Sequence, residues 1–86
     1  MATQLFHIDS KYSEKLAGVL TEMGGEIVQL DRKHRYSGWR TFHMSDTNTT
    51  VVYGGNNNLA IAGTKRNILA TKSKLEEKLN TELIKI

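Results

Sequence analysis

The spacing of apolar residues changes several times along the 86-residue chain, and each change predicts a new structural element. Near the start, TQLFHI (3–8) alternates weakly between polar and apolar positions and predicts a short strand. Helical spacing follows, with one apolar stripe formed by Tyr12, Leu16, Val19, Leu20 and Met23. Candidate N-cap residues for this helix are Asp9, Ser10 and Ser13. The pair Gly24-Gly25 predicts its end, because glycine adopts the left-handed conformation at little cost.

Strand-like segments fill the middle of the chain and are separated by turn-rich segments. The segments EIVQLDR (26–32), WRTFHMS (39–45) and TTVVYGG (49–55) predict three strands. LAIAG (59–63) predicts either a fourth strand or an irregular lead into the last helix. From Thr64 the helical period returns and predicts one long helix, whose apolar side is formed by Ile68, Leu69, Leu75, Leu79, Leu83 and Ile86.

This order of elements predicts a single α+β domain over residues 1–86. We expect two layers: an antiparallel sheet of three to four strands with two helices on one face, plus the N-terminal strand. On the polar side of the last helix, Lys72/Glu76 and Lys78/Glu82 are spaced as i,i+4 partners. Because only 38% of the residues are hydrophobic, the core is small, and a homodimer would add buried surface.

Cysteine content and the first residues indicate which cellular compartment to expect for the protein. The sequence contains no Cys, so nothing indicates disulfides or an oxidising compartment. The opening residues have neither the basic start nor the apolar run of a signal peptide or membrane span. We therefore expect a cytoplasmic protein without a membrane partner.

The positive charge is concentrated in one stretch, DRKHRYSGWR (31–40). It contains four Lys or Arg residues against one Asp, whereas the basic and acidic residues of the remaining chain balance, eight against eight. The net charge of +3 therefore resides in these ten positions. Such a focused patch attracts polyanions. The alternative interpretation is a solvated turn between two strands that is basic for solubility.

Three segments resemble a known fold family. SEKLAGVLTEMGGEIVQL (13–30) is similar to a first helix, glycine turn and first strand, and GTKRNIL (63–69) to the start of a last helix. With three strands between the helices, residues 13–75 resemble the double-stranded-RNA-binding domain, and more closely the small HicA-type toxins that share its fold. His34 in RKHR lies where those toxins have a catalytic His, but Arg32-Lys33 replaces their Gly-Ser. The resemblance implies an RNA ligand.

Two groups of residues have chemistry suited to such a ligand. Lys65 and Arg66 fall in the first turn of a helix, where unpaired N–H groups also attract phosphate. In the second group, Arg side chains offer bidentate hydrogen bonds to phosphate, and Tyr36 can stack on a base. Trp39 could stack in the same way or anchor the core. The predicted RNA-binding residues are Arg32, Lys33, His34, Arg35, Tyr36, Arg40, Lys65 and Arg66.

The residues for enzyme chemistry are few. Neighbouring positive charge favours the neutral form of His34, which can act as a general base on a ribose hydroxyl. No acid partner for His34 is identifiable in the sequence. Catalysis by His34 is therefore an alternative and not the leading hypothesis. His7 and His43 lie in predicted strands, where a structural role is the simpler interpretation. We expect no metal and no cofactor, because the three histidines lack the spacing of a zinc site.

Three function classes follow. The leading hypothesis is a small non-catalytic RNA-binding protein that grips structured or double-stranded RNA. The second is a protein-binding inhibitor, of the kind that phages use against a host toxin or defence system. The third is a metal-independent, HicA-like endoribonuclease that depends on His34.

Overall fold

The computed structural model describes residues 1–28, 40–54 and 57–86. Within these ranges six strands and two α-helices are present, with a short 3₁₀ turn, Ser10–Tyr12, before the first helix. The elements in chain order are β1 (Ala2–His7), α1 (Ser13–Glu22), β2 (Gly25–Ile27), β3 (Arg40–Met44), β4 (Thr49–Tyr53), β5 (Asn58–Gly63), α2 (Lys65–Leu79) and β6 (Ile84–Lys85). The strands form one antiparallel sheet in the order β2-β3-β4-β5-β1-β6.

The α+β class predicted from the sequence is confirmed, with a larger sheet than expected. The segment 59–63 belongs to a full strand, β5, which pairs with both β4 and β1. The N-terminal strand is therefore inside the sheet, between β5 and β6, rather than an appendage to it. The sixth strand comes from the C-terminal residues.

The prediction of a helix up to Ile86 is wrong. α2 ends at Leu79, because Asn80 adopts a left-handed conformation with φ of 54°. The chain then turns back, and Ile84–Lys85 pairs with β1 as β6. The expected Lys78/Glu82 pair spans this helix end, and Lys78 instead lies 3.7 Å from Glu22 of α1.

The first helix agrees with the predicted stripe. Leu16, Leu20 and Met23 are buried in the core, while Tyr12 and Val19 are partly buried against it. Gly24 ends this segment with φ of 85°. Asp9 accepts a hydrogen bond from the Lys11 amide at 3.1 Å, so it caps the 3₁₀ turn. Tyr12, the residue before α1, provides no side-chain cap, and the side chains of Ser10 and Ser13 lie outside the described part of the structure.

Both helices pack against the same face of the sheet, which we call the covered face. Strands β4 and β5 alternate strictly between buried residues that face the helices and half-buried residues that face the other way. The buried members and the apolar helix residues form one core. The opposite face carries neither helix, and we call it the open face.

Candidate nucleic-acid interface

One candidate contact lies at the end of the sheet where β3 begins. Arg40 is exposed there and pairs in register with Tyr53, the last residue of β4. Burial raises the pKa of the Tyr53 hydroxyl, and the positive charge of Arg40 offsets part of that rise. The hydroxyl therefore remains protonated near neutral pH and is able to donate a hydrogen bond.

Two buried polar atoms at this end have no hydrogen-bond partner among the described residues: the Tyr53 hydroxyl and the Asn57 Oδ1 atom. Tyr53 is only 5% exposed, so water does not readily replace the missing partner. The Asn57 backbone is held in place, since its carbonyl accepts a hydrogen bond from the Ile8 amide at 2.9 Å. Arg40 thus lies beside the buried Tyr53 hydroxyl, and its guanidinium offsets part of the rise in the pKa of that hydroxyl both by its charge and by hydrogen bonding.

The second candidate contact is the start of α2. The Thr64 side chain accepts a hydrogen bond from the Asn67 amide at 3.2 Å and caps the helix. Lys65 and Arg66 follow in the first turn, where both are exposed. As the sequence predicted, they lie where helix N–H groups and the helix dipole favour an anion.

The structure places these two contacts at opposite ends of the sheet. Tyr53, opposite Arg40, pairs in turn with Leu59 near the start of β5, whereas α2 begins just after Gly63 at its other end. Gly63 lies four positions after Leu59 in the strand, which is about 13 Å at the usual rise. Arg40 therefore does not share one small patch with Lys65 and Arg66.

The number of strands explains this separation. Each antiparallel strand reverses the chain, so three strands between two helices would bring the first hairpin and the last helix to the same end. In this chain four strands, β2 to β5, lie between α1 and α2. Val28, which precedes the basic stretch, and Arg40, its last residue, lie at the end of the sheet remote from the start of α2.

The remaining predicted site residues belong to the basic stretch. Arg32, Lys33, His34, Arg35 and Tyr36 all lie outside the described residues, as does Trp39. Their roles stay predictions.

Sequence reasoning missed a groove between α2 and the β1–β6 side of the sheet. Its apolar lining includes Phe6, Ile68 and Leu83, and the groove holds about 500 Å³. Lysines and no carboxylate appear among its lining residues, and we define the lysine groove by its three cations, Lys65, Lys72 and Lys85. The spacing of Lys65 and Lys72 on one helix face was visible in the sequence. Lys85 was not recognisable, because it was assigned to a helix.

The cations of the lysine groove differ in their surroundings. Lys72 lies 3.1 Å from Glu76, whose other carboxylate oxygen accepts a hydrogen bond from the Leu83 amide at 2.9 Å. Lys65 and Lys85 form no ion pair within the described ranges. Their charges are therefore available to an anionic partner.

The other predicted features concern histidine, metal and membrane. His7 and His43 are exposed on the open face, so neither serves the core. In residues 1–28, 40–54 and 57–86, no group of three or more His, Asp or Glu side chains is arranged to hold a metal ion. Neither described helix has the length and apolar character needed to cross a lipid bilayer.

Comparisons of the chain with protein-family models, curated proteins and solved structures find no significant match.

Proposed function

We propose that this protein is a non-catalytic RNA-binding protein of the cytoplasm, related in architecture to the double-stranded-RNA-binding domain. The observation that carries the proposal is that the whole formal excess of positive charge falls within residues 31–40. Arg40, the described member of that stretch, is exposed at the start of β3, which supports the same assignment.

The separation of Arg40 from the start of α2 sharpens the proposal. A duplex presents phosphates over a long surface, and its recognition depends on shape and on phosphate and 2′-hydroxyl contacts. Two cationic contacts about 13 Å or more apart then engage different phosphates of one RNA. Their contributions to the free energy of binding should add, as is usual for distant sites.

The test is a gel-shift series with single- and double-stranded RNA over a range of salt concentrations. Replacing Arg32, Lys33 and Arg35 together with Ala should weaken binding and flatten its salt dependence, by about 0.7–0.9 in slope for each phosphate that is no longer neutralised. The matched control replaces three exposed cations elsewhere, Lys15→Ala, Lys74→Ala and Lys78→Ala, and so removes the same charge. If both triple variants lost RNA affinity equally, overall charge alone would explain the loss. The proposed role of residues 31–40 would then be refuted.

The same samples test the second contact and the enzyme alternative. Lys65→Ala with Arg66→Ala should lower affinity by a similar factor in wild type and in the triple variant. RNA should be recovered intact. If RNA were cleaved without metal and this cleavage disappeared in His34→Ala, the protein would be an endoribonuclease and the proposal would be wrong.

A protein-binding role, as an inhibitor of a toxin or defence factor, is the second candidate. The observation that favours it is the lysine groove, where apolar side chains lie between cations without a lining carboxylate. Such a surface suits an acidic protein segment with an apolar anchor. Copurification that survives nuclease treatment and is abolished in Lys65→Glu/Lys85→Glu would support it. Loss of the partner on nuclease treatment would show that RNA links the two proteins, and it would favour the RNA-binding proposal.

A further inference from the structure

The register of the strands shows which residues share the open face. Opposed residues in an antiparallel sheet point to the same side, so each row across the sheet can be followed from strand to strand. One row crosses β3, β4, β5 and β1, continues into the residues that directly follow β2 and β6, and is mostly apolar. Its members are Ile86, Leu5, Ala60, Val52, Thr41 and Val28. Ile84 joins the same face from β6, opposite His7.

Large apolar side chains are concentrated on this face. Leu5 is 48% exposed, Val28 42%, Ile84 61% and Ile86 63%. Within the described ranges, these are four of the seven large hydrophobic residues that are exposed. Contiguous apolar surface of this kind marks an interaction site more often than scattered exposed residues do.

The open face is also nearly free of fixed charge. Among the described residues that point to it, none is Lys or Arg, and Glu26 is the single acidic side chain. By contrast, α2 presents cations along its length. Two copies of a protein with net charge +3 repel each other over most orientations, and an approach through this face brings the fewest like charges together.

The raised and shallow parts of the open face are placed so that two copies of this face can fit together. Leu5, Ile84 and Ile86 form a ridge at the β1–β6 side, whereas Ala60 and Ala62 leave the middle of the sheet shallow. In a two-fold arrangement, each residue contact is repeated by the reciprocal contact. The ridge of one copy then fits the shallow region of the other, twice over.

We propose that the open face is a homodimer interface, in which a second copy of this chain packs sheet against sheet. In this arrangement β4, β5, β1 and β6 of one copy face the same four strands of the other. Four strands about 4.8 Å apart and roughly five residues deep on average give a face of roughly 300 Å² in projection per copy. The buried accessible surface is then about 800 Å² in total, which is in the range of weak, transient interfaces. We therefore expect a reversible dimer with a Kd of about 100 µM. This inference does not depend on RNA binding.

The test is sedimentation velocity of the full chain from about 1 µM to about 500 µM, which brackets that Kd. Wild type should shift from monomer to dimer with concentration. Leu5→Lys should weaken dimerisation at least about tenfold, because it places a charge in the interface without a partner. The matched control is Leu69→Lys, which adds the same charge at a residue that is 62% exposed on α2, away from the open face, and should dimerise like wild type.

A mixing experiment tests the register of the interface. Ala60→Glu alone should also weaken the dimer. Mixing it with Leu5→Lys should restore dimerisation, because the new Lys of one copy meets the new Glu of the other. Circular dichroism identifies any variant that fails to fold, and Val52→Lys then takes its place.

Three results would overturn the proposal: wild type that stays monomeric throughout, dimerisation unaffected by folded Leu5→Lys and Val52→Lys, or equal weakening in Leu69→Lys. A monomer that binds another protein through this face would assign the surface to a different partner.

Discussion

The two faces of the sheet can be compared within four consecutive residues of β4, Thr49-Thr50-Val51-Val52. Thr49 and Val51 point to the covered face and are 1% and 0% exposed. Thr50 and Val52, identical in type, point to the open face and are half-buried. Local sequence is the same on both faces, so the difference between them is created by the helices that lie on one side.

The pattern of polar and apolar residues in β4 does not show by itself which face of the strand is buried. The position of the two helices decides it. A pattern of polar and apolar residues normally identifies the buried face of a strand. In the first four residues of β4 that contrast is missing, because each face receives one Thr and one Val. The covered face satisfies its threonine by hydrogen bonds, whereas the valine of the open face is half-buried.

The largest expected effect comes from the two valines. Val51→Ala should lower the free energy of unfolding by about 2–3 kcal/mol, because it removes buried methyl groups and leaves a cavity. Val52→Ala should cost well under about 1 kcal/mol in the monomer. Urea unfolding at low protein concentration measures both. Equal destabilisation would mean that the open face is packed as tightly as the core.

The threonines give a smaller contrast. The Thr49 hydroxyl lies 2.9 Å from that of Thr47 and 2.8 Å from that of Thr71, and the Thr71 hydroxyl also donates to the Asn67 carbonyl at 3.0 Å. The Thr47 and Thr71 hydroxyls also lie 2.8 Å from each other. Thr49→Val keeps the shape and removes one member of this three-hydroxyl cluster, so unfolding should become easier by about 1 kcal/mol.

The matched control is Thr50→Val, on the open face. It should leave the free energy of unfolding almost unchanged, because no hydrogen bond in the described structure involves that hydroxyl. The same denaturation series compares the two variants. If Thr49→Val were as stable as wild type, the buried hydroxyl network would contribute nothing to holding α2 on the sheet.

The smallest expected effect concerns Glu76, which connects α2 to the segment that leads into β6. Its hydrogen bond from the Leu83 amide, assisted by Lys72, lowers the pKa of the carboxyl below its usual value and holds the chain that leads into β6. A lowered pKa stabilises the fold above the ordinary value of 4.5, and that stabilisation is lost as the pH falls through the folded-state value.

Glu76→Gln should therefore cost about 1 kcal/mol at pH 7, and the difference from wild type should shrink below about pH 4.5. Unfolding curves at pH 7 and pH 3.5 measure this change. Glu77→Gln, at an exposed neighbouring residue, is the control. A difference that persisted at low pH would show that the charge of Glu76 is not what stabilises β6.

Much of the fold was predictable because local signals agreed with one another. The stripe Leu16–Leu20–Met23, the glycine that follows it and the short β-rich segments each indicated the element that forms. The end of α2 was not predictable from periodicity. Leu83 keeps the helical spacing, and it is buried, but it reaches the core from an extended segment after Asn80. A left-handed asparagine ended the helix where the apolar pattern continued.

The candidate site was less predictable than the fold. Residue type indicated that Lys65 and Arg66 begin a helix, and they do. Their distance from Arg40 depends on how many strands intervene, and the sequence left open whether 59–63 is a strand. One additional strand moved α2 to the other end of the sheet. The lysine groove depends on Lys85, which only the sixth strand brings next to Phe6.

The position of β1 inside the sheet has a consequence for synthesis on the ribosome. β1 pairs with β5 on one side and with β6 on the other, so both of its neighbours are synthesised after it. Until then its backbone amides and carbonyls have no sheet partner, and the nascent chain carries an unprotected strand. Slowing translation should lengthen that exposure, and factors that shield emerging chains would act on residues 2–7 during this interval.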